Sequence, residues 1–207
     1  MTLAMTLWLG VDVGGKRKGF DVALIDERRL LLGARMPRDE VVSLVDSERP
    51  AVVAIDSPQT CAPDGQKARD CELELNRAVC GIRWTPDARS LHASDYYEWI
   101  VEGLALYKAL AGVKLIEVFP TASWTRWIGP RERSRAKWTR AGLETLELDG
   151  LPANTNQDQR DAIAAALTAR EYSRGTTERF GEIVVPVARA GPRGRRAARR
   201  TRAAGPA

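Results

Sequence analysis

The run Ala51-Val-Val-Ala-Ile-Asp56 constrains this chain most. A strand so nearly apolar along its whole length leaves no face for water, and belongs in the middle of a sheet that is covered on both sides. Only its last residue breaks the pattern. Asp56 brings a carboxylate to the carboxyl end of the strand, directly before Ser57 and Pro58, where α/β sheets commonly hold their ligands. Asp-Ser-Pro is also turn chemistry, so a turn aspartate is the other reading.

The segments around this strand complete a sheet. Leu7 to Val13 is β-branched and aromatic, and Gly14, Gly15 and Lys16 turn it into a second apolar stretch from Phe20 to Ile25, which reads as a hairpin. A third strand follows at Leu30 to Arg35, and Arg38 to Ser47 is helical. Residues Ser57 to Arg89 are turn-rich, with one short helix around Arg69 to Arg77, and form an elaboration. Tyr96 to Leu110 is an amphipathic helix with Tyr96, Ile100, Leu104 and Leu110 on one face. Val113 to Phe119 is the fifth strand, ended by Pro120. Helices follow over Ser134 to Leu146 and over Gln157 to Tyr172, the latter capped by Thr155 or Asn156, and Gly181 to Pro186 adds a short terminal strand. This order is not the strict βαβα alternation of a doubly wound fold. It predicts an α/β domain over residues 1–187, built on a mixed five-stranded sheet whose first three strands are antiparallel, flanked by helices. No internal repeat is visible.

Charge needs to be placed before it is interpreted. The net charge is +5, but seven of the 32 basic residues, all arginine, lie from Arg189 onward without an acid, which leaves 25 basic against 27 acidic residues in the body. The tail over residues 188–207 lacks the apolar bulk to offset its ordering entropy, so it is expected to be disordered, either binding nucleic acid non-specifically or serving as a plain extension. Cys61, Cys71 and Cys80 lack the paired spacing of a zinc site and read as core residues in a reducing compartment. No stretch approaches the roughly 18 to 20 apolar residues of a membrane span, and no basic segment precedes a long apolar one, so a cytoplasmic protein without membrane contact is expected. Met1 and Met5 are both possible starts.

Five carboxylates stand out against their surroundings. Asp12 lies between Val11 and Val13 on a central strand, and a charge there is costly to bury unless it is paired or bound to metal. Asp158 and Asp161 open the last helix three residues apart, on the face continued by Ala162, Ala165 and Ala169, a small-residue stripe that lets a helix approach a sheet closely. Acids in a first turn also suit the helix dipole, which accounts for one of the two but not for both facing the packing side. Glu117 interrupts the apolar strand Leu115-Ile-Glu-Val-Phe119, although an edge strand would leave it wet. Glu72 reads as an ion pair with Arg69, three residues away. Oxygen ligands without a histidine cluster or thiolate pair select a hard cation, Mg²⁺ or Mn²⁺. Two such ions about 3.5 to 4 Å apart would serve an in-line phosphoryl displacement. The single histidine, His92, is poorly placed to be a ligand.

The combination Gly10-Val-Asp-Val-Gly14, Ala54-Ile-Asp-Ser-Pro58, Arg69-Asp-Cys-Glu72, Ile116-Glu-Val-Phe-Pro120 and Asn156-Gln-Asp-Gln-Arg-Asp-Ala162 resembles a bacterial and archaeal family of the domain of unknown function 429 type, described as predicted nucleases. The resemblance runs from Leu7 to Pro186. It implies an RNase H-like sheet, metal-dependent hydrolysis of DNA or RNA, and an acidic site at Asp12, Asp56 and the helix acids. Asp158 and Asp161 also look like the paired aspartates on the last helix of Holliday-junction resolvases of that fold. The expected site is therefore Asp12, Asp56, Glu117, Asp158 and Asp161 as metal ligands and catalytic groups, with Arg126, Arg135, Lys137 and Arg140 positioning substrate phosphates.

Two alternatives stay open. Actin-like ATPases and sugar kinases share the fold, but they grip nucleotide between two such domains and this chain has room for one. A non-catalytic nucleic-acid-binding module would use Trp124, Trp127 and Trp138 with the basic residues interleaved among them. The same pattern also fits helices with buried tryptophans and solvated charges.

Overall fold

The computed structural model describes residues 5–132 and 134–188, so the arginine-rich stretch from position 189 lies outside the described residues. The strands are β1 (Trp8–Val13), β2 (Phe20–Ile25), β3 (Leu30–Met36), β4 (Val52–Asp56), β5 (Leu115–Val118), β6 (Thr177–Phe180) and β7 (Ile183–Pro186). The helices are α1 (Arg38–Glu48), α2 (Asp70–Ala78), α3 (Ala88–Leu91), α4 (Glu98–Ala109), α5 (Pro120–Ile128), α6 (Arg135–Glu144) and α7 (Gln157–Ser173). They surround one sheet of order β3-β2-β1-β4-β5-β7-β6.

The meander is present as expected, with β1–β2 and β2–β3 antiparallel, followed by parallel β1–β4 and β4–β5 pairs. The strand count is corrected from five to seven. The terminal strand pairs in parallel with β5, and a further strand, β6, closes the edge against it. Thr177-Glu-Arg-Phe180 carries two charges and covers only an edge, so it lacks the apolar signature by which the inner strands are recognised.

Two apolar layers enclose the sheet. Strand alternation sends Leu9, Val11, Val13, Val53 and Ile55 toward α1 and α4, while Trp8, Ala54, Ile116 and Val118 face α5, α6 and α7. The small-residue stripe on α7 does what its composition predicts. A Cβ on Gly10 would lie 2.1 Å from the Ala162 carbonyl oxygen and 2.2 Å from the Ala166 nitrogen, so only glycine lets α7 seat this deeply on β1. α7 begins at Asn156, whose side chain accepts from the Gln159 N–H while Gln159 accepts from the Asn156 N–H, a reciprocal cap.

Two helical expectations shift. Tyr96 lies in a 3₁₀ turn (Asp95–Tyr97) before α4 and is exposed, so Ile100, Gly103 and Leu106 form the buried face. Pro120 ends β5 and at once starts α5, because its fixed φ and missing N–H suit the first helical position. Trp124, Trp127 and Trp138 are buried, the first two edge to face at 5.5 Å. Among the described residues no helix is long and apolar enough to cross a membrane.

Candidate metal centre

Asp12 and Asp56 are register partners on the parallel strands β1 and β4, so both carboxylates project from the sheet's carboxyl edge toward α7. Burial, reinforced by the charges of Asp161 and Asp158, pushes Asp12 up to about 7. Asp56 is held well above the carboxylate range by burial and by Asp12, with which it shares a hydrogen bond. No ion pair to either is found among the described residues.

On the other side of Asp12 stands Asp21 of β2, its antiparallel register partner, 2% exposed. Carboxylate oxygens of Asp12, Asp21 and Asp158 all lie within 4.8 Å of one another. Arg35 donates to Asp21 Oδ2 at 2.8 Å through Nε, and Nη2 of Arg35 lies 3.1 Å from Asp158, which also pairs with Lys18 at 2.8 Å. The second oxygen of Asp21, Oδ1, is buried without a hydrogen-bond partner. Asp21 escaped the sequence reading although it carried the same signal as Asp12, an acid inside the apolar strand Phe20-Asp-Val-Ala-Leu-Ile25.

Asp161 is buried and satisfied by three neighbours. Arg135 donates to it at 2.8 Å, Gln157 at 3.0 and 3.1 Å, and the Trp124 indole at 3.3 Å. Burial raises its pKa, while Arg135 and the two hydrogen-bonding side chains pull it back. Glu117 stands outside the Asp12–Asp21–Asp158 grouping. It pairs in register with Ile55, one residue before Asp56, and therefore points to the opposite face. There Arg69 grips both of its oxygens, and the Gln59 N–H donates to it at 2.8 Å. Arg69 also donates to Glu72 at 3.0 Å, and Glu72 accepts from the N–H and hydroxyl of Thr85. The anticipated Arg69–Glu72 pair is thus real, and Glu117 belongs to the same buried network.

A cavity of about 960 Å³ opens over this edge, lined by Asp12, Asp56, Asp158 and Asp161, by Lys18, Arg131 and Arg135, and also by Glu117 with its partner Arg69. Of the expected phosphate ligands, Arg135 lines it, Arg126 pairs with Glu178 of β6, and Lys137 and Arg140 are exposed away from its wall. His92 does not line it. Among these groups Asp12, Asp21, Asp56 and Asp158 supply only carboxylate oxygens, the donor set of a hard divalent cation, and the orphaned Asp21 oxygen is one such donor left unused.

No curated protein matches the chain. Among solved structures, Thermus thermophilus RuvC is similar with 17% identity and a TM-score of 0.46, over 82% of this chain and 96% of that one. T. thermophilus RuvC in complex with Holliday junction substrate is similar with 16% identity and a TM-score of 0.47, over 84% and 98%. A family model described as "Protein of unknown function (DUF429)" matches residues 10–184, and the chain belongs to that family.

Proposed function

We propose that the chain is a nuclease that hydrolyses phosphodiester bonds of nucleic acid with Mg²⁺ or Mn²⁺ held at the carboxyl edge of the sheet. The observation that carries the reading is the half-buried Asp12–Asp56 pair, register partners at the cavity edge with no direct ion pair among the described residues. Two adjacent carboxylates withdrawn from most of their water disfavour being ionised together at neutral pH unless a cation joins them or a proton is shared. Asp12 is common to two groupings, one with Asp56 and one with Asp21 and Asp158. These are the ligands a two-ion arrangement would draw on, with Asp161 orienting the edge through Arg135. Glu117 lines the same cavity with both oxygens held by Arg69, and would support the edge or replace one ligand. When bound, divalent metal would activate the attacking water and neutralise charge on the leaving oxygen. Arg131 and Arg135, on the cavity wall, would orient the phosphate, and the sheet edge and α7 hold the carboxylates in place.

A second reading, a non-catalytic nucleic-acid-binding module, draws on Arg35, Lys18 and Arg135, which already neutralise Asp21, Asp158 and Asp161. Single-stranded, duplex, hybrid and branched substrates with Mg²⁺ or Mn²⁺ separate the two. The nuclease reading expects cleavage by wild type that is abolished in Asp12→Asn; equal cleavage by the variant, or none by wild type, overturns it.

A further inference from the structure

The aromatic side chains that face water are not those of the tryptophan-rich stretch. Trp124 is fully buried, whereas Trp84 is 40% and Tyr96 55% exposed. Both belong to the connection between α2 and α4. Arg83 and Trp99 from this connection and the adjoining helix line the cavity that holds Asp12 and Asp56, and Trp84 lies between the lining residues Arg83 and Thr85. The Arg83 guanidinium sits 5.8 Å from the centre of the Tyr96 ring, and Tyr97 braces that ring edge-on at 5.1 Å. Thr85 is tied down by its N–H to Glu72 at 3.0 Å, so the rim is anchored to the buried Arg69 network.

We propose that this rim takes an unpaired, single-stranded segment of nucleic acid leading into the carboxylate cavity. Bases stack on Trp84 and Tyr96, while Arg83 and Arg131 hold phosphates. The proposal rests on the nuclease reading for the cavity, but it makes its own demand on substrate. Duplex affinity comes mostly from many phosphate contacts. The body, with 25 basic against 27 acidic residues, offers no net positive charge for that purpose. What it does offer is exposed ring faces, and in a duplex the faces of the bases are already covered by their neighbours. Stacking on aromatic side chains is available only to unpaired bases, and it tolerates any sequence.

The full chain is titrated, in EDTA, with fluorescently labelled oligothymidylate, oligouridylate and a duplex of equal length, following anisotropy and tryptophan emission. Trp84→Ala is expected to weaken single-strand binding by about fivefold or more, with loss of emission quenching. Trp84→Phe restores most of that affinity, and duplex binding, including any through the arginine tail, is the same in all three proteins. The DNA and RNA arms identify the sugar; equal affinity for both supports recognition through base faces alone. Unchanged single-strand binding by Trp84→Ala, with circular dichroism showing the wild-type fold, overturns the proposal, as does tighter binding of duplex than of single strands. Cleavage assays on the same proteins keep the two readings apart. Wild type that binds through Trp84 and never cleaves retains the rim and removes the nuclease, while cleavage with no role for Trp84 does the reverse.

Discussion

Asp12 and Asp56 stand opposite each other on neighbouring parallel strands and share a hydrogen bond, two half-buried acids with no direct ion pair among the described residues. Burial and neighbouring acids raise Asp12 from an ordinary 3.8 to about 7. The folded protein therefore binds a proton more tightly than the unfolded chain, and it is destabilised as pH rises between those values. Without divalent metal, thermal stability should be higher at pH 5 than at pH 8, by a few kcal/mol from this group alone. Asp12→Asn should flatten that dependence. A wild-type melting temperature that rises from pH 5 to pH 8 in EDTA would contradict the assignment.

Metal should reverse the trend. If Asp12, Asp21, Asp56 and Asp158 supply the ligands, Mn²⁺ or Mg²⁺ will raise the melting temperature at pH 8 more than at pH 5, where protons compete for Asp12 and Asp56. Asp12→Asn should lose most of this response. Melting scans of wild type and variant with Mn²⁺ and with Mg²⁺, each against an EDTA control, measure it.

Burial raises both Asp56 and Glu117, yet their removal should have opposite signs. Glu117 is held by both arms of Arg69, so Glu117→Gln leaves a buried guanidinium with Glu72 as its remaining counter-charge and should cost about 3 kcal/mol. Asp56→Asn relieves repulsion with Asp12 and should stabilise the metal-free protein at pH 8. Urea unfolding of the two variants gives the comparison, and destabilisation of similar size in both would mean that Asp56 is also structurally paired.

Lys18 occupies one oxygen of Asp158 at 2.8 Å, close to the Asp12–Asp21–Asp158 grouping. It competes there with any bound cation. Lys18→Met should tighten Mn²⁺ binding by roughly two- to fivefold, the range of an exposed ion pair. Isothermal titration of both proteins tests this, and weaker binding in the variant would show Lys18 supporting the site instead.

These contrasts explain what was legible beforehand. Asp12 and Asp56 betrayed themselves because a charge interrupts an apolar run, and that signal is local. Whether such a charge reaches the site depends on pairing register, which is not local. Glu117 gives the same signal, but a one-residue offset against Asp56 sends it to the other face, where Arg69 awaits from a distant loop. Asp21 is adjacent to Asp12 only because the β1–β2 hairpin sets them opposite each other. The tryptophans from Trp124 to Trp138 fitted both a binding surface and a buried core, because pattern alone cannot tell a core aromatic from a stacking one, and they are buried. β6 was hidden because an edge strand need not be apolar.

Gly10 provides the last test, one that concerns the frame and not the chemistry. It is the point at which β1 and α7 touch backbone to backbone, and these two elements carry Asp12, Asp158 and Asp161. A methyl group there would overlap the Ala162 carbonyl and the Ala166 nitrogen, atoms that cannot rotate away. The helix must then lift from the sheet, opening the Ala162–Ala169 contact and pulling its aspartates from Asp12. Gly10→Ala should destabilise by about 3 kcal/mol, lowering the melting temperature by roughly 6 to 12 °C. The Mn²⁺-induced stabilisation should shrink as well, because Asp12 and Asp158 would no longer converge. Gly10→Ala with an unchanged melting temperature would mean that α7 does not rest on β1, and the carboxylates it carries would lose their place at the sheet edge.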